Sequence, residues 1–269
     1  MDRQSHFQVG YLEVRSEGHV AQIVMQRPEK LNAMTAGFWS DLREALDRLA
    51  SDGETRVAII TGGGDRAFSA GGDIAGFLHL QTIDEMRAYQ VDAMQAFAHV
   101  EGSPLIVIAA VNGIAYGGGC ELAMASDIVI ASDAARFAMP EAMLGLVPGF
   151  GVLRAPDVVG RQMAKLLIAT GENIDAQRAL EVGLVQRVVP AAELMVEARR
   201  MAETIAARSP MALSVAKRMV NRTIDDAALN YSVEEITILH TSEDRKCGVE
   251  AFLAKRTPVF TGGVKVAPK

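Results

Sequence analysis

Between Glu101 and Glu121 the chain carries no charged residue, and this stretch limits its fold more than any other. At about 20 residues it has the length of a membrane span. Pro104, Asn112 and five glycines fall inside it, however, and a lipid-exposed helix would be interrupted by them. The apolar run 105–111 instead suits a strand buried on both faces, leading into a loop that ends in three consecutive glycines, Gly117, Gly118 and Gly119. Consecutive glycines are costly in backbone entropy, so they mark a place where something must come close to the main chain. Glu121 follows at once, and a second apolar run, 127–131, reads as another strand.

The same alternation extends upstream. Residues 11–14 and 20–25 read as a hairpin turning at Glu17 and Gly18, and 57–61 as a short buried strand closed by the turn 62–65. Helical spacing joins Phe38, Leu42, Ala45 and Leu49, with Thr35 as a candidate cap. A second helix starts at Thr82, where Glu85 completes a capping box, and presents Met86, Tyr89, Ala93, Phe97 and Val100. Strand, loop, helix, strand is an α/β rhythm. From Gly160 onward helices dominate: 161–170 stopped by Gly171, 175–182 stopped by Gly183, then 191–208, 211–222, and 225–256 broken near Ser242. No linker separates the parts, so residues 1–200 are expected to form a core and 201–269 a helical extension, with 261–269 as a frayed tail.

A chain of 269 residues that is 49% apolar can bury a large core. Its net charge of −6 gives no electrostatic reason to bind nucleic acid or an anionic membrane. The densest basic doublets, Arg199-Arg200 and Lys217-Arg218, lie in helical, mixed-charge stretches and read as solvated faces. Cys120 and Cys247 stand alone, away from histidines at ligand spacing, which argues for a reducing, cytoplasmic setting and against a structural metal. The N-terminus has no secretory pattern, so the sequons at Asn221 and Asn230 read as chance matches.

Two familiar chemistries fail on their spacing. The Gly117-x-Gly119 pair lacks the third glycine of a dinucleotide fingerprint, since Leu122 stands there, and no phosphate-cradling GxxxxGK[ST] run exists. AFSAG at 67–71 approaches a serine-hydrolase elbow but has Ala67 in place of the first glycine, and neither His79 nor His99 has an evident acidic orienter. What remains is a pair of carboxylates: Glu121 after the glycines, and Glu141 after Pro140 and before LVPGFG at 146–151. Either one could merely complement a helix N-terminus.

Three separated motifs give the pair a context. RPEKLNA at 27–33, AFSAGGDI at 67–74 and NGIAYGGGCELA at 112–123, together with EDR at 243–245 and EAFLAKR at 250–256, resemble the enoyl-CoA hydratase/isomerase (crotonase) superfamily, in order and over nearly the whole chain. The resemblance implies a spiral of ββα units, the crotonase or ClpP-like α/β fold, with a helical C-terminal trimerisation region and assembly as a homotrimer or a dimer of trimers. It implies an acyl-CoA thioester as substrate, with coenzyme A entering as part of it and no further cofactor or metal. By resemblance the main-chain N–H groups of Gly72 and Gly118 hold the thioester oxyanion, Glu121 helps activate water, Glu141 delivers the α-proton, and Gly149 steadies the water. Ala70, Gly71 and Asp73 would lie along the coenzyme, with Arg27 and Lys30 as phosphate partners. Phe252 and Lys255, three apart on an expected helix, would reach the nucleotide of a neighbouring subunit.

Retention of both glutamates favours a hydratase, because isomerases of the family need only the carboxylate at position 141. An enoyl-CoA isomerase, another CoA-thioester lyase or a non-catalytic acyl-CoA-binding relative are the alternatives. Two positions depart from the family pattern. Phe150 to Arg154 replace a common glycine and glutamine-arginine arrangement, and Ala75 stands where some hydratases carry lysine. Phe150, Tyr89 and Met86 are candidates for the acyl-tail pocket.

Overall fold

The computed structural model describes residues 4–221 and 226–258; the expected tail at 261–269, the last residue of the helix expected at 211–222 and the first of the helix expected from 225 lie outside them. In chain order the strands are β1 (Gln4–Val9), β2 (Leu12–Glu17), β3 (Val20–Met25), β4 (Val57–Gly62), β5 (Ala67–Ser69), β6 (Ile106–Val111), β7 (Ile114–Tyr116), β8 (Ile128–Ser132), β9 (Arg136–Ala138), β10 (Ile174–Asp175) and β11 (Arg187–Val189). The helices are α1 (Phe38–Ser51), α2 (Ile74–Phe77), α3 (Ile83–Gly102), α4 (Gly118–Ala125), α5 (Gly151–Val158), α6 (Arg161–Thr170), α7 (Ala176–Glu181), α8 (Leu194–Ala206), α9 (Pro210–Asn221), α10 (Asp226–His240) and α11 (Glu243–Leu253).

Seven strands form one sheet in the order β1-β2-β3-β4-β6-β8-β11, and four form a second in the order β10-β9-β7-β5. The large sheet starts as an antiparallel meander and is parallel from β3 onward. Strands β4, β6 and β8 enter the large sheet, while β5, β7 and β9, each directly following, enter the small one. Helical segments follow each pair, which is the ββα winding that the resemblance implied.

Burial explains the unbroken apolar runs. On β4 and β6, Val57, Ile59, Ile106 and Ile108 face a layer sealed by Leu194, Ala198, Ala202 and Ala206 of α8, spaced four apart. Ala58, Ile60, Val107 and Ala109 face the main core on the other side. A parallel strand covered on both faces has no polar side to show, so it reads as a continuous run instead of an alternation.

The helix caps are mostly as the sequence suggests. Thr82 and Glu85 form the capping box of α3, Gly171 closes α6 at φ 64°, and Ser242 caps α11 after the expected break. Thr35 is a correction: α1 starts after Gly37 with no side-chain cap, and Thr35 contributes only its carbonyl, to the Phe38 N–H. The helix expected at 191–208 is divided into a 3₁₀ turn, Ala191–Glu193, and α8. Lys217 is a second correction. Arg218 is solvated, but Lys217 is buried, its ammonium 2.7 Å from Asp127 Oδ2 and donating to the carbonyls of Val100 and Leu105. Three acceptors match the three protons of the ammonium and fasten α9 to the body. Farther on, α10 packs along α3.

Candidate active site

Three loops converge beside the small sheet. Leu31 and Asn32 both adopt left-handed backbone, at φ 52° and 54°. The buried Asn32 amide donates to Gly63 O and Ala67 O, and its oxygen accepts from Arg27 N. Ser69, the serine of the near-elbow, donates its hydroxyl to Asn32 O and accepts from Gly71 N. It is a brace: its hydroxyl is given to Asn32 O and to neither histidine. His99 does have an acidic partner, Asp47 at 2.9 Å, which corrects the sequence reading, and His79 is exposed.

These braces press residues 70–72 against 116–118. Gly71 has φ 89°, and a Cβ there would stand 2.6 Å from Tyr116 O and 3.0 Å from Gly118 N. Met34 N donates to Gly71 O and Asp73 N donates to Met34 O. The N–H of Gly72, between them, has no partner among the described residues. Gly118 opens α4, so its N–H belongs to the unpaired first turn. A Cβ on Gly118 would lie 3.7 Å from Gly72 N, which puts the two main-chain segments side by side.

The three glycines now separate by cause. At Gly117 the backbone takes φ 51°, ψ −123°, and a Cβ would stand 2.7 Å from Glu141 Oε1. At Gly119 a Cβ would stand 2.3 Å from Ser69 O. At Gly118 the contacts would be ordinary, 3.4 Å or more, so the protein itself leaves room for a side chain there.

Glu121 sits in the first turn of α4, which is buried apart from its first residue, and is itself only 6% exposed. Its Oε1 accepts from Gly151 N at 2.7 Å, and the neighbouring Phe150 N–H also favours its charge. Burial pushes this carboxyl above the usual range, and the two N–H groups from the start of α5 draw it partly back. Glu141 lies on the 3₁₀ turn Pro140–Leu144, and its Oε2 is buried with no hydrogen-bond partner among the described residues. Burial first, and the neighbouring Glu121 charge second, hold it well above the usual carboxylate range.

Both carboxylates line one pocket, which encloses about 100 Å³, together with Ala70, Gly71, Gly72, Gly118 and Gly149. The same pocket is lined by Trp39, Phe77, Tyr89, Met94, Phe97 and Ile236, and by the polar side chains of Gln90 and His240. Of the candidate tail residues, Tyr89 lines the pocket. Phe150 and Met86 do not: Phe150 is fully buried against Phe97, with ring centroids 5.0 Å apart, and Met86 is 5% exposed.

The expected coenzyme contacts are more dispersed. Arg27 and Asp73 are partners of each other at 2.9 Å. Lys30 is exposed at the end of a 3₁₀ turn. Phe252 is exposed on α11, but Lys255 lies beyond the helix, which ends at Leu253. Gln90 and His240 escaped the sequence reading. Gln90 adjoins the apolar stripe of α3, and His240 is an isolated histidine some 150 positions away, so only the packing of α10 on α3 could reveal them.

A ββα spiral that brings two glutamates and two glycine main chains to one pocket is the arrangement of the class that the sequence motifs resemble, the crotonase superfamily. Within it, the chain matches the family model "Enoyl-CoA hydratase/isomerase" over residues 15–263. It is 40% identical over 247 residues to the short-chain-enoyl-CoA hydratase of Clostridium acetobutylicum, covering 90% of this chain and 94% of that protein. It is 36% identical over 253 residues to the crotonyl-CoA hydratase of Syntrophomonas wolfei, covering 92% and 96%. The crystal structure of carnitinyl-CoA hydratase from Mycobacterium avium is similar with a TM-score of 0.84 at 34% identity, covering 94% of this chain and 99% of that one. This chain belongs to the enoyl-CoA hydratase/isomerase family.

Proposed function

We propose that the protein is a hydro-lyase that reversibly adds water to a 2-enoyl-CoA thioester, giving the 3-hydroxyacyl-CoA. The observation that carries this reading is the sharing of one pocket by Glu121, Glu141 and the main chains of Gly72 and Gly118. Addition of water at C3 pushes charge onto the thioester oxygen, and two preorganised N–H donors are suited to receive it. The positive end of α4 favours the same charge.

The unequal settings of the carboxylates suggest their roles. Glu121, supported by two N–H donors, is the more readily ionised and takes the proton of the attacking water. Glu141, with its unpartnered oxygen and its raised affinity for a proton, delivers one to C2. Two neighbouring carboxyls whose surroundings drive their proton affinities apart make an acid and a base from one residue type. Gly149, at the pocket floor, positions the water. We assign the coenzyme to the side of Ala70 and Gly71, where Ala70 N donates to Leu31 O and so brings in the segment of Lys30 and of Arg27, paired with Asp73. Phe252 and Lys255 would reach a neighbouring subunit's coenzyme.

In this reading residues 1–200 form the catalytic core and 201–269 an extension that packs on the core and on neighbouring subunits of a cytoplasmic trimer or dimer of trimers. Exposed Met211, Met219, Val220, Phe252 and Leu253 on that extension support a covered face. Retention of Glu121 disfavours an isomerase, which needs one carboxylate, and a non-catalytic acyl-CoA binder would need neither. The test is the absorbance of the enoyl thioester of crotonyl-CoA on adding enzyme. Loss of the band supports hydration. Persistence of the band with protein that still binds the thioester would leave a binding protein.

A further inference from the structure

Besides the two glutamates, the mostly apolar pocket lining carries the Trp39 indole, the Tyr89 hydroxyl and one pair of polar side chains bonded to each other. Gln90 on α3 and His240 on α10 are 8% and 1% exposed, and they meet with Nε2 to Nε2 at 2.7 Å. Phe77 stands edge-on to the imidazole, 5.7 Å between ring centroids. One hydrogen bond does not satisfy this pair. His240 Nδ1 is buried without a partner, and the second polar atom of the Gln90 amide is bonded to no described residue. Gln90 Oε1 lies 3.5 Å from the point a Gly149 Cβ would occupy, at the pocket floor where Met94 and Ile236 also close in.

Burying an amide and an imidazole among Met94, Ile236 and Phe77 is unfavourable unless they gain hydrogen bonds. An aliphatic wall would line the pocket without that penalty. Resting on the hydratase reading, we propose that Gln90 and His240 select the acyl group: the enzyme favours 2-enoyl-CoA thioesters whose acyl chain ends in a hydroxyl over equally long plain aliphatic ones. A hydroxyl fits either orientation of the Gln90 amide, since it both donates and accepts, whereas a carboxylate could only accept and would face Glu121 and Glu141. The imidazole is neutral, because burial and then the nearby Arg245 guanidinium bring its pKa down to about 4.

The experiment pairs 2-pentenoyl-CoA with 5-hydroxy-2-pentenoyl-CoA for turnover, and pentanoyl-CoA with 5-hydroxypentanoyl-CoA for binding by calorimetry. The wild-type protein should prefer the hydroxylated member about tenfold or more in kcat/KM and in Kd, because a site built to bond a hydroxyl is left with unpaired polar groups by the analogue lacking it. Gln90→Leu and His240→Phe should bring both ratios down to one or below, while His240→Asn, which keeps a hydrogen-bonding side chain, should retain part of the preference. A wild-type ratio near one, or a ratio unmoved by Gln90→Leu, overturns the proposal. Should no thioester be hydrated while the binding preference stands, the hydratase reading fails and the selectivity survives.

Discussion

The part of the pocket formed by Gly72, Gly118, Glu121 and Glu141 takes half its chemistry from the main chain; Glu121 follows the glycine loop directly, and Glu141 comes from a separate turn twenty positions on. A second part of the lining takes its chemistry from the side chains of Gln90 and His240, which are 150 positions apart. The first wall is over-braced: Asn32, Ser69 and Met34 tie its loops together with hydrogen bonds. Both hold a buried polar atom without a partner among the described residues, but in the first it is Glu141 Oε2, part of a reacting group, and in the second it is His240 Nδ1, which is not. Rigid loops fix where charge develops, and a wall with spare hydrogen-bonding capacity is where a substrate can still be chosen.

The largest effects should come from the braced wall. Glu121→Gln and Glu141→Gln should each lower kcat for crotonyl-CoA hydration by about 10²- to 10⁴-fold while the melting temperature holds. Full turnover by either variant would end the two-carboxylate account. Next, Gly117→Ala and Gly118→Ala should part company. The first forces a side chain into φ 51° against Glu141 and should lose about 1–3 kcal/mol of stability as well as activity. The second meets only ordinary contacts in the protein, so its stability should change little, yet its Cβ stands near Gly72 N, where the thioester oxygen is placed, and kcat should drop about 100-fold. Equal turnover by Gly118→Ala and wild type would move the oxyanion elsewhere.

Asn32→Ala should destabilise by about 3 kcal/mol in urea unfolding, since two buried hydrogen bonds and one part-buried one lose their partner. A loss below about 1 kcal/mol would mean the loops are held by other means. The smallest effect lies on the second wall. His240 has a folded pKa of about 4 against an ordinary 6.5, so between those values the unfolded chain binds more protons and stability falls as pH is lowered. From pH 6.5 to 4.5 this amounts to about 2 kcal/mol. Glu121 and Glu141, with raised values, act in the opposite direction, so the quantity to measure is wild type minus His240→Phe. A difference that does not vary with pH would show that His240 titrates normally.

Legibility followed sequence distance. The long strands β4 and β6, the capping box of α3 and the glycine stops were readable because their causes are local. The two- and three-residue strands of the small sheet were not, for such lengths carry no periodicity, and β1, with its mostly polar face, exists through its register with β2. Lys217 read as a surface charge because the acceptors that bury it, at Val100, Leu105 and Asp127, lie about a hundred positions upstream.

The sequence by itself determined the alternation of strands and helices, the glycine loop with its adjoining glutamate, and the motifs that set the family, since each depends on neighbours within a few residues. Only the tertiary structure decided that Glu141, with one oxygen unpartnered, stands beside Glu121, that Arg27 is occupied by Asp73, and that Gln90 meets His240. Burial and electrostatic coupling are properties of what surrounds a group in space, and the chain order does not contain them.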